Sequence, residues 1–366
     1  MSAYQKRLGK TIRNMLLCLL GFGVIAAFVQ AQATDTAAAH PTARQRFRYM
    51  GLGREAFHPS MAQWLLKGSY ASFARKARAE FPIPGLAAGY VPQGMCYSET
   101  LGCFLLTAYY PKGKRPSLLS MVDPATGELI RNVYLLCPDG SIYNGHASAV
   151  ADDDAGRHTW VTDGSRVYHL LTEDLRTARD EDTVRLRDMF VTGRRGGFAL
   201  RAEGLLWLGE FASPEREMNP AHREPRTGNR GWCVGYPLNG DAPMGFDPNP
   251  AFVLSVPDYA QGACDTGSAL YLSTSHGNRN PSWMLVFPPL RKIMRTNDRI
   301  TVNGISLPFF VLDEGKAHRQ VLAPMSEGIA AYDGKIYTLF ESAALIYRAR
   351  AELFADYVYS IPEISH

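Results

Sequence analysis

One pattern occurs five times along this sequence: a lead residue, a strand of small or apolar residues, a turn, and an aromatic-rich second strand. The five phrases begin at Gln93 (QGMCYSETLGCFLLTAYY), His146 (HASAVADDDAGRHTWVTDG), Phe198 (FALRAEGLLWLGEF), Gln261 (QGACDTGSALYLSTSHG) and Glu327 (EGIAAYDGKIYTLFESA). Their lead residues are 52 to 66 residues apart. Repetition with a period of this length is typical of units that bury their faces only by packing against neighbours.

Two further strands follow each phrase, for example SLLSMVDPATGELIRNVYLL after the first. Four antiparallel strands repeated five times predict an all-β fold, a five-bladed β-propeller over residues 85–366. The third unit is the weakest, because AEGLLW offers Glu203 as another lead. Glu203 and Asp333 each stand four residues before an aromatic residue, so both are interpreted as hairpin turns. A six-bladed propeller closed by the N-terminal segment and a β-sandwich are the alternatives.

A short, partly helical extension is predicted before the propeller, over residues 34–84. Residues 34–58 are polar and weakly patterned, and we expect them to be loosely ordered. Residues 59–82 have apolar positions at helical spacing, which Lys67-Gly68 interrupts. The apolar positions are Met61, Trp64, Leu65, Tyr70 and Phe73.

The N-terminus has the pattern of an export signal. A basic stretch precedes the apolar run Met15–Val29, and Ala31-Gln32-Ala33 forms an A-x-A cleavage pattern. We therefore expect residues 1–33 to be a cleaved signal peptide, and the protein to be secreted or periplasmic with no membrane span after cleavage. An uncleaved N-terminal anchor is the alternative.

The balance of basic and acidic residues does not indicate a nucleic-acid partner. The chain has 39 basic and 35 acidic residues. The predicted signal peptide carries four of the basic residues and none of the acidic ones, so the two signs are equal in the remainder. No nucleic-acid partner is expected from this balance.

Five cysteines follow the predicted signal peptide, and disulfides form in exported proteins. Cys96 and Cys103 flank a short hairpin and are the pair best placed for a disulfide, with buried free thiols as the alternative. Because five is odd, at least one thiol stays unpaired within a monomer.

The propeller geometry predicts where functional groups meet. The innermost strands line the axis, so the lead residues Gln93, His146, Phe198, Gln261 and Glu327 should converge near one mouth. The ends of the second strands should surround them, at Asp163, Glu210, Ser273, Ser275, His276 and Glu341. Oxygen ligands of this kind suit Ca²⁺, whereas a glutamate with a histidine suits Zn²⁺ or a general acid/base pair. The alternative is structural, with each glycine permitting a tight turn between blades.

Two loops add candidate ligand contacts. STSHGNRNPS (273–282) supplies Ser275, His276, Asn278 and Arg279, and AYYPKGKRPS (108–117) supplies Tyr109 beside three basic residues. Basic groups near the mouth favour an anionic ligand or a sugar acid. A long polar insertion, 209–232, contains one histidine that is interpreted as a surface residue.

Five phrases together resemble a family of secreted bacterial proteins, common in actinomycetes, of unassigned activity and propeller-like fold. They are YVPQGMCY, NGHASAVA, LLWLGEF, QGACDTGSALYLSTSHGNRNPS and APMSEGIAAYDGKIYTLFESAA. More distantly, the Gln-Gly and Glu-Gly phrases with an "ES" second strand are similar to the five-bladed glutaminyl cyclases. The sequence departs from that family at its third unit and lacks a tryptophan-rich phrase after the second.

Two functional hypotheses follow. The first is a monomeric exported propeller whose channel mouth binds a small polar, saccharide or peptide ligand, with Ca²⁺ or Zn²⁺ as a candidate metal. The second is an enzyme of hydrolase, lyase or cyclase type, with Glu327 and His146 as acid/base groups or metal ligands. A propeller fold hosts both classes, so the fold does not choose between them.

Overall fold

The structure is a computed structural model that describes residues 68–364, apart from 154, 194–195 and 217–218. The predicted signal peptide and the N-terminal residues up to 67 lie outside the described residues. No helix in the described part of the chain is long and apolar enough to cross a membrane.

The described strands form five sheets, one for each predicted unit. Blade 1 contains β2 (Val91–Ser98), β3 (Cys103–Tyr109), β4 (Leu118–Val122), β5 (Leu129–Leu136) and a parallel outer strand, β9 (Thr183–Arg185). Blade 2 contains β6 (Ala149–Asp152), β7 (His158–Asp163), β8 (Arg166–Leu171) and β10 (Met189–Val191). Blade 3 contains β11 (Gly196–Ala202), β12 (Leu205–Glu210), β13 (Gly231–Pro237), β14 (Phe252–Val256) and an outer hairpin of β18 (Arg299–Val302) and β19 (Ile305–Val311).

The last two blades complete the circle. Blade 4 contains β15 (Ala260–Asp265), β16 (Leu270–Thr274), β17 (Ser282–Phe287) and β20 (His318–Leu322). Blade 5 contains β21 (Ser326–Tyr332), β22 (Lys335–Phe340), β23 (Tyr357–Pro362) and, as its outer strand, β1 (Arg78–Pro82). The first strand of each blade contacts the first strands of both neighbours, so β2, β6, β11, β15 and β21 form a closed ring around the axis. The five-bladed β-propeller is confirmed.

Strand β1 closes the last blade, and residues 68–364, as far as the structure describes them, form no sixth blade. β1 pairs antiparallel with β23, with Arg78 opposite Ser360. The described helices are short: α1 (Ala71–Lys76), α2 (Thr172–Thr177) and α3 (Leu290–Ile293), with 3₁₀ turns at Gly68–Tyr70, Pro220–His222 and Glu314–Lys316. The helical pattern predicted up to residue 82 therefore ends at Lys76, because the following residues find their hydrogen bonds in a sheet edge.

Hairpin turns and buried aromatic residues explain why the units fold this way. Asp333 and Gly334 both have positive φ, as do Glu203 and Gly204, which is the two-residue turn that matches the twist of paired strands. Both hairpin-turn predictions are therefore confirmed. Large aromatic side chains such as Trp160 and Trp207 are fully buried. Each such burial contributes about 1.5–3 kcal/mol to folding.

All five described cysteines carry free thiols. The hairpin pairs Ser98 with Cys103 and Cys96 with Leu105. Cys96 and Cys103 are therefore diagonal neighbours on one face, about 7–8 Å apart between their backbones. That separation exceeds what a disulfide spans, so the predicted bridge does not form.

Candidate functional site

Glycines bring the inner strands close together around the axis. Gln93, Gln261 and Glu327 are each followed by a glycine that lacks a left-handed φ. A Cβ on any of these glycines would lie closer than 3.0 Å to backbone atoms of the neighbouring inner strand. The glycines therefore permit close packing of the ring, and the predicted turn between blades is not the reason for them.

A bulge sets the residue before each of these glycines apart. The pairing of β2, β15 and β21 with their second strands shifts at this point, so that Gln93, Gln261 and Glu327 are left out of the regular ladder. A bulge of this kind redirects a side chain away from the alternation of the strand. In β11 the same shift leaves out Gly197, so blade 3 has no side chain at this position.

Two predicted lead residues occupy other places. Phe198 is 2% exposed and packs in the hydrophobic core with Trp207, because the true bulge position is one residue earlier. His146 lies three residues before β6 begins and is exposed. Phe198, the one apolar residue among the five predicted lead residues, therefore does not lie among the polar side chains at the axis.

The structure joins four polar side chains from three blades. The Nε2 of Gln93 donates to Oε2 of Glu341 at 3.2 Å, and the Nε2 of Gln261 donates to Oε1 of Glu327 at 3.1 Å. A side-chain hydrogen bond joins Glu327 and Glu341. We call these four residues the axial array. Its members Glu327 and Gln93 are buried at 2% and 3% exposure, whereas Glu341 and Gln261 are partly exposed.

The hairpin of blade 5 brings the two carboxyl groups together. Ser326 pairs with Phe340, so the next residue on each strand, Glu327 and Glu341, falls at the same end of the hairpin. Counting outward from the Asp333 turn places Glu327 opposite Phe340, and only the bulge in β21 shifts this register, so the count alone does not pair the two carboxyl groups. The two glutamines come from other blades, and no local pattern links them to the carboxyl groups.

Burial raises the pKa of both carboxyl groups of this pair. Burial, followed by the charge and the hydrogen bond of Glu341, raises the pKa of Glu327 well above its ordinary value. Burial raises the pKa of Glu341 to about 7, while hydrogen bonds from Gln93 and Glu327 oppose that rise. Both carboxyl groups therefore hold their protons to a higher pH than an exposed glutamate does.

Two tyrosines and His146 extend from this pair. Tyr109 ends β3, and Tyr347 lies close enough to affect its pKa. Burial raises the pKa of Tyr109, and the charges of Glu341 and Glu327 add to the effect. The His146 ring stacks on Tyr109 with centroids 4.4 Å apart. His146 therefore contacts Tyr109, and Tyr347 is a residue near the carboxyl pair that no repeated phrase indicated.

The hydroxyl of Ser273, at the start of the loop 273–282, donates to the backbone carbonyl of Glu327 at 2.7 Å, whereas the other candidate residues of the loop make their described contacts elsewhere. Ser275 is buried and its hydroxyl accepts a hydrogen bond from Ser282 at 3.1 Å. The His276 ring lies 4.3 Å from that of Tyr259. The carbonyl of Asn278 accepts from the backbone N–H of Glu352 at 3.0 Å, and Arg279 is exposed. None of these contacts of Ser275, His276 and Asn278 is with the axial array.

Glu210 anchors the long insertion of blade 3. Its Oε2 accepts hydrogen bonds from the backbone N–H of Trp232 and from Nδ1 of His222, both at 2.8 Å. The His222 ring stacks on Trp232 with centroids 3.8 Å apart and is 5% exposed. The interpretation of His222 as a surface residue is therefore wrong, because the insertion folds back over this glutamate.

The predicted metal ligands do not assemble into a cluster among the described residues. No group of three or more His, Cys, Asp or Glu side chains in this part of the chain could hold a metal ion. Fold and site together define a five-bladed β-propeller with a pair of carboxyl groups of raised pKa at its axis.

Comparisons with known proteins give only distant structural neighbours. No protein-family model matches the chain, and no curated protein matches its sequence. Among solved structures, the glutaminyl cyclase of Myxococcus xanthus is 12% identical, with 78% of this chain and 94% of that chain covered and a TM-score of 0.40. The GH43_1 enzyme from Xanthomonas citri complexed with xylotriose is 12% identical, with 80% and 92% covered and a TM-score of 0.45. The resemblance to a secreted actinomycete-type family stays a prediction.

Proposed function

We propose that this chain is an exported propeller whose axial mouth binds a small polar ligand, a saccharide or a peptide. The observation that carries the proposal is the axial array, in which two carboxyl and two carboxamide groups converge from three blades. A small number of convergent polar groups in a largely buried setting is typical of ligand sites. Glu341 and Gln261 are partly exposed, so a ligand can reach them.

The charge of the array favours hydroxyl- or amine-bearing ligands over anions. The groups at the axis are acids and amides, and Glu341 ionises near pH 7 because burial raises its pKa to about 7. The basic residues of the loop 108–117 are exposed, and Arg115 lies over the Tyr110 ring at 4.8 Å. An anionic ligand such as a sugar acid is disfavoured, because the carboxylate at the axis would repel it.

A thermal-shift screen tests the binding proposal. The probes are neutral mono- and disaccharides and short peptides with free N-termini, each added to the full chain at pH 7. A ligand that raises the melting temperature should bind at least tenfold more weakly to Gln93→Ala and Glu341→Gln, because each removes a partner from the array. Glu128→Gln, an exposed glutamate of blade 1, is the matched control. Equal binding by all four proteins would refute the site.

Acid/base catalysis is the second candidate, and the unequal pKa values of the two carboxyl groups favour it. A pair whose environments hold one group protonated and let the other ionise near neutral pH supplies both an acid and a base. In this scheme Glu327 is the acid and Glu341 the base. His146, the partner named from the sequence, acts at the rim through Tyr109.

An N-terminal glutaminyl peptide is the first substrate to test, because the Gln-Gly and Glu-Gly phrases resemble those of glutaminyl cyclases. Loss of either member of an acid/base pair typically lowers the rate about 10²–10⁴-fold. We expect this loss in Glu327→Gln and Glu341→Gln, a smaller one in His146→Ala, and none in Glu128→Gln. Cyclisation at wild-type rates by both glutamine variants would exclude the pair from catalysis.

Export and a monomeric state belong to the same proposal. We propose cleavage after Ala33, which follows the A-x-A pattern. N-terminal sequencing of the protein recovered from outside the cytoplasm should begin at Thr34, and size-exclusion chromatography should give the mass of one chain. Recovery of the intact N-terminus in the membrane fraction would support the anchor instead.

A further inference from the structure

Two exposed aliphatic side chains lie at the mouth of the propeller, in the connection 341–356 between β22 and β23. Leu345 and Ile346 are 58% and 42% exposed. Phe340 ends β22 and pairs with Ser326, so the connection leaves the sheet at the same end as the axial array. Backbone hydrogen bonds of 2.8–2.9 Å within 344–351 fold the connection into tight turns, which hold the two side chains at the surface.

The loop 108–117 of blade 1 continues this apolar surface. A Cβ on Gly89 would lie 3.4 Å from the Tyr110 ring and 3.8 Å from Cδ1 of Leu345, so both side chains pack over this glycine. The Arg115 guanidinium lies over the Tyr110 ring at 4.8 Å. Blades 5 and 1 therefore form one surface in which aliphatic, aromatic and basic side chains adjoin. A contiguous exposed surface of this kind is typical of an interaction site.

The charge of this surface has a single sign. The stretches 110–115 and 345–350, which we call the rim patch, contain five basic residues and no aspartate or glutamate. Four of the five basic residues are exposed, and the guanidinium of the fifth, Arg348, lies over the Phe354 ring at 4.5 Å. Glu352, which follows the second stretch, is partly buried and accepts a hydrogen bond from the Tyr70 hydroxyl at 3.1 Å.

We propose that the rim patch binds the surface of an anionic lipid bilayer. The aliphatic pair gains free energy by leaving water for the acyl boundary, and the amphipathic ring of Tyr110 suits the level of the headgroups. Lysine and arginine side chains attract anionic headgroups. A soluble polyanion would contact the charges and leave Leu345 and Ile346 in water, so the combination of charge and apolar surface favours a bilayer.

The rim patch differs in chemistry from the axial array. The array presents carboxyl and carboxamide groups, whereas the patch presents cations beside aliphatic side chains. Lipid binding at the rim therefore does not depend on ligand binding at the axis.

Vesicle sedimentation tests the proposal. The full chain is mixed with vesicles of phosphatidylglycerol and phosphatidylcholine in equal parts, or of phosphatidylcholine alone, at about 0.1 M salt. The wild type should sediment with the anionic vesicles and stay in solution with the neutral ones. Raising the salt to about 1 M should release most of the bound protein, because it screens the attraction to the headgroups.

Two double variants separate the contributions of charge and of apolar contact. Lys112→Gln/Lys114→Gln removes two charges, and Leu345→Gln/Ile346→Gln removes the aliphatic contact. Each should bind the anionic vesicles at least about tenfold more weakly than the wild type. The matched controls change exposed residues of blades 2, 3 and 4, and both should bind like the wild type: Val191→Gln/Ile305→Gln and Lys292→Gln/Lys316→Gln.

Three results would overturn the lipid site. They are no sedimentation of the wild type with anionic vesicles, equal sedimentation with neutral ones, or binding by both double variants at the strength of their controls. Loss of binding in the lysine variant alone would show that only charge is recognised, and it would overturn the bilayer in favour of a soluble polyanion.

A tryptophan at the patch gives a second measurement if a double variant fails to fold. Brominated phosphatidylglycerol should quench the fluorescence that Leu345→Trp adds to that of the wild type, because the side chain enters the acyl boundary. An added fluorescence that the brominated lipid leaves unquenched would overturn the proposal.

Discussion

Replacing Glu341 by glutamine should stabilise the protein at pH 8 while leaving its stability at pH 4.5 almost unchanged. Burial raises the pKa of this carboxyl group from 4.5 to about 7 in the folded chain. Between those values the folded state holds a proton that the unfolded state has released. The free energy of unfolding therefore falls as the pH rises through this window, and it falls no further on account of this group above about pH 7.

The size of the effect follows from the shift. A pKa moved from 4.5 to about 7 costs about 3 kcal/mol, at about 1.4 kcal/mol per pKa unit. Partial exposure of Glu341 reduces this, and we expect about 2–3 kcal/mol. Glu327 adds to the same trend, because its pKa is raised further by burial and by the charge of Glu341. Glutamine keeps the shape of the side chain but removes its charge.

Urea unfolding at pH 4.5, 6, 7 and 8 measures this difference. The wild type and Glu128→Gln should lose stability in parallel as the pH rises, since Glu128 is exposed. The Glu341→Gln curve should be flatter and should lie above the wild type at pH 8. Two results would refute a raised pKa for the Glu341 carboxyl group. They are a Glu341→Gln protein that is less stable than the wild type at pH 8, or a pH dependence of its stability that runs parallel to that of the wild type.

Three further perturbations test the scaffold. Gly262→Ala places a Cβ 2.6 Å from a carbonyl oxygen of the next inner strand, so urea unfolding should show a free energy of unfolding lower by about 1–3 kcal/mol. The control Gly68→Ala, whose Cβ meets nothing within 4 Å, should leave the stability nearly unchanged. Equal effects of the two substitutions would contradict the close-packed ring. His222→Phe keeps the ring stack but removes a donor to buried Glu210, so we expect a loss of about 1–3 kcal/mol and faster limited proteolysis of the insertion than in the wild type. Because all described cysteines carry free thiols, dithiothreitol should leave the melting temperature unchanged, and a downward shift would reveal a disulfide.

Much of the site could be predicted from the phrases themselves. Gln93, Gln261 and Glu327 were found because each stands before a glycine in a repeated phrase. Strand spacing alone places His146 and Phe198 at the same position of the repeat. A single-residue bulge decides which residue leaves the ladder, and spacing does not resolve one residue.

The amino-acid sequence indicates five repeated units, the position of the hairpin turns and the ends of the strands that carry polar groups, while it leaves a six-bladed propeller and a β-sandwich open. These follow from local chemistry, because turns such as Asp333-Gly334 and alternating apolar runs act over a few residues. The pairing of β1 with blade 5 is visible only in the folded structure. The same holds for the two glutamines of blades 1 and 4, which form hydrogen bonds with the carboxyl pair of blade 5. The tertiary structure also decided the ionisation of that pair, since burial is the main cause of both pKa shifts and burial exists only once the five blades have closed around the axis.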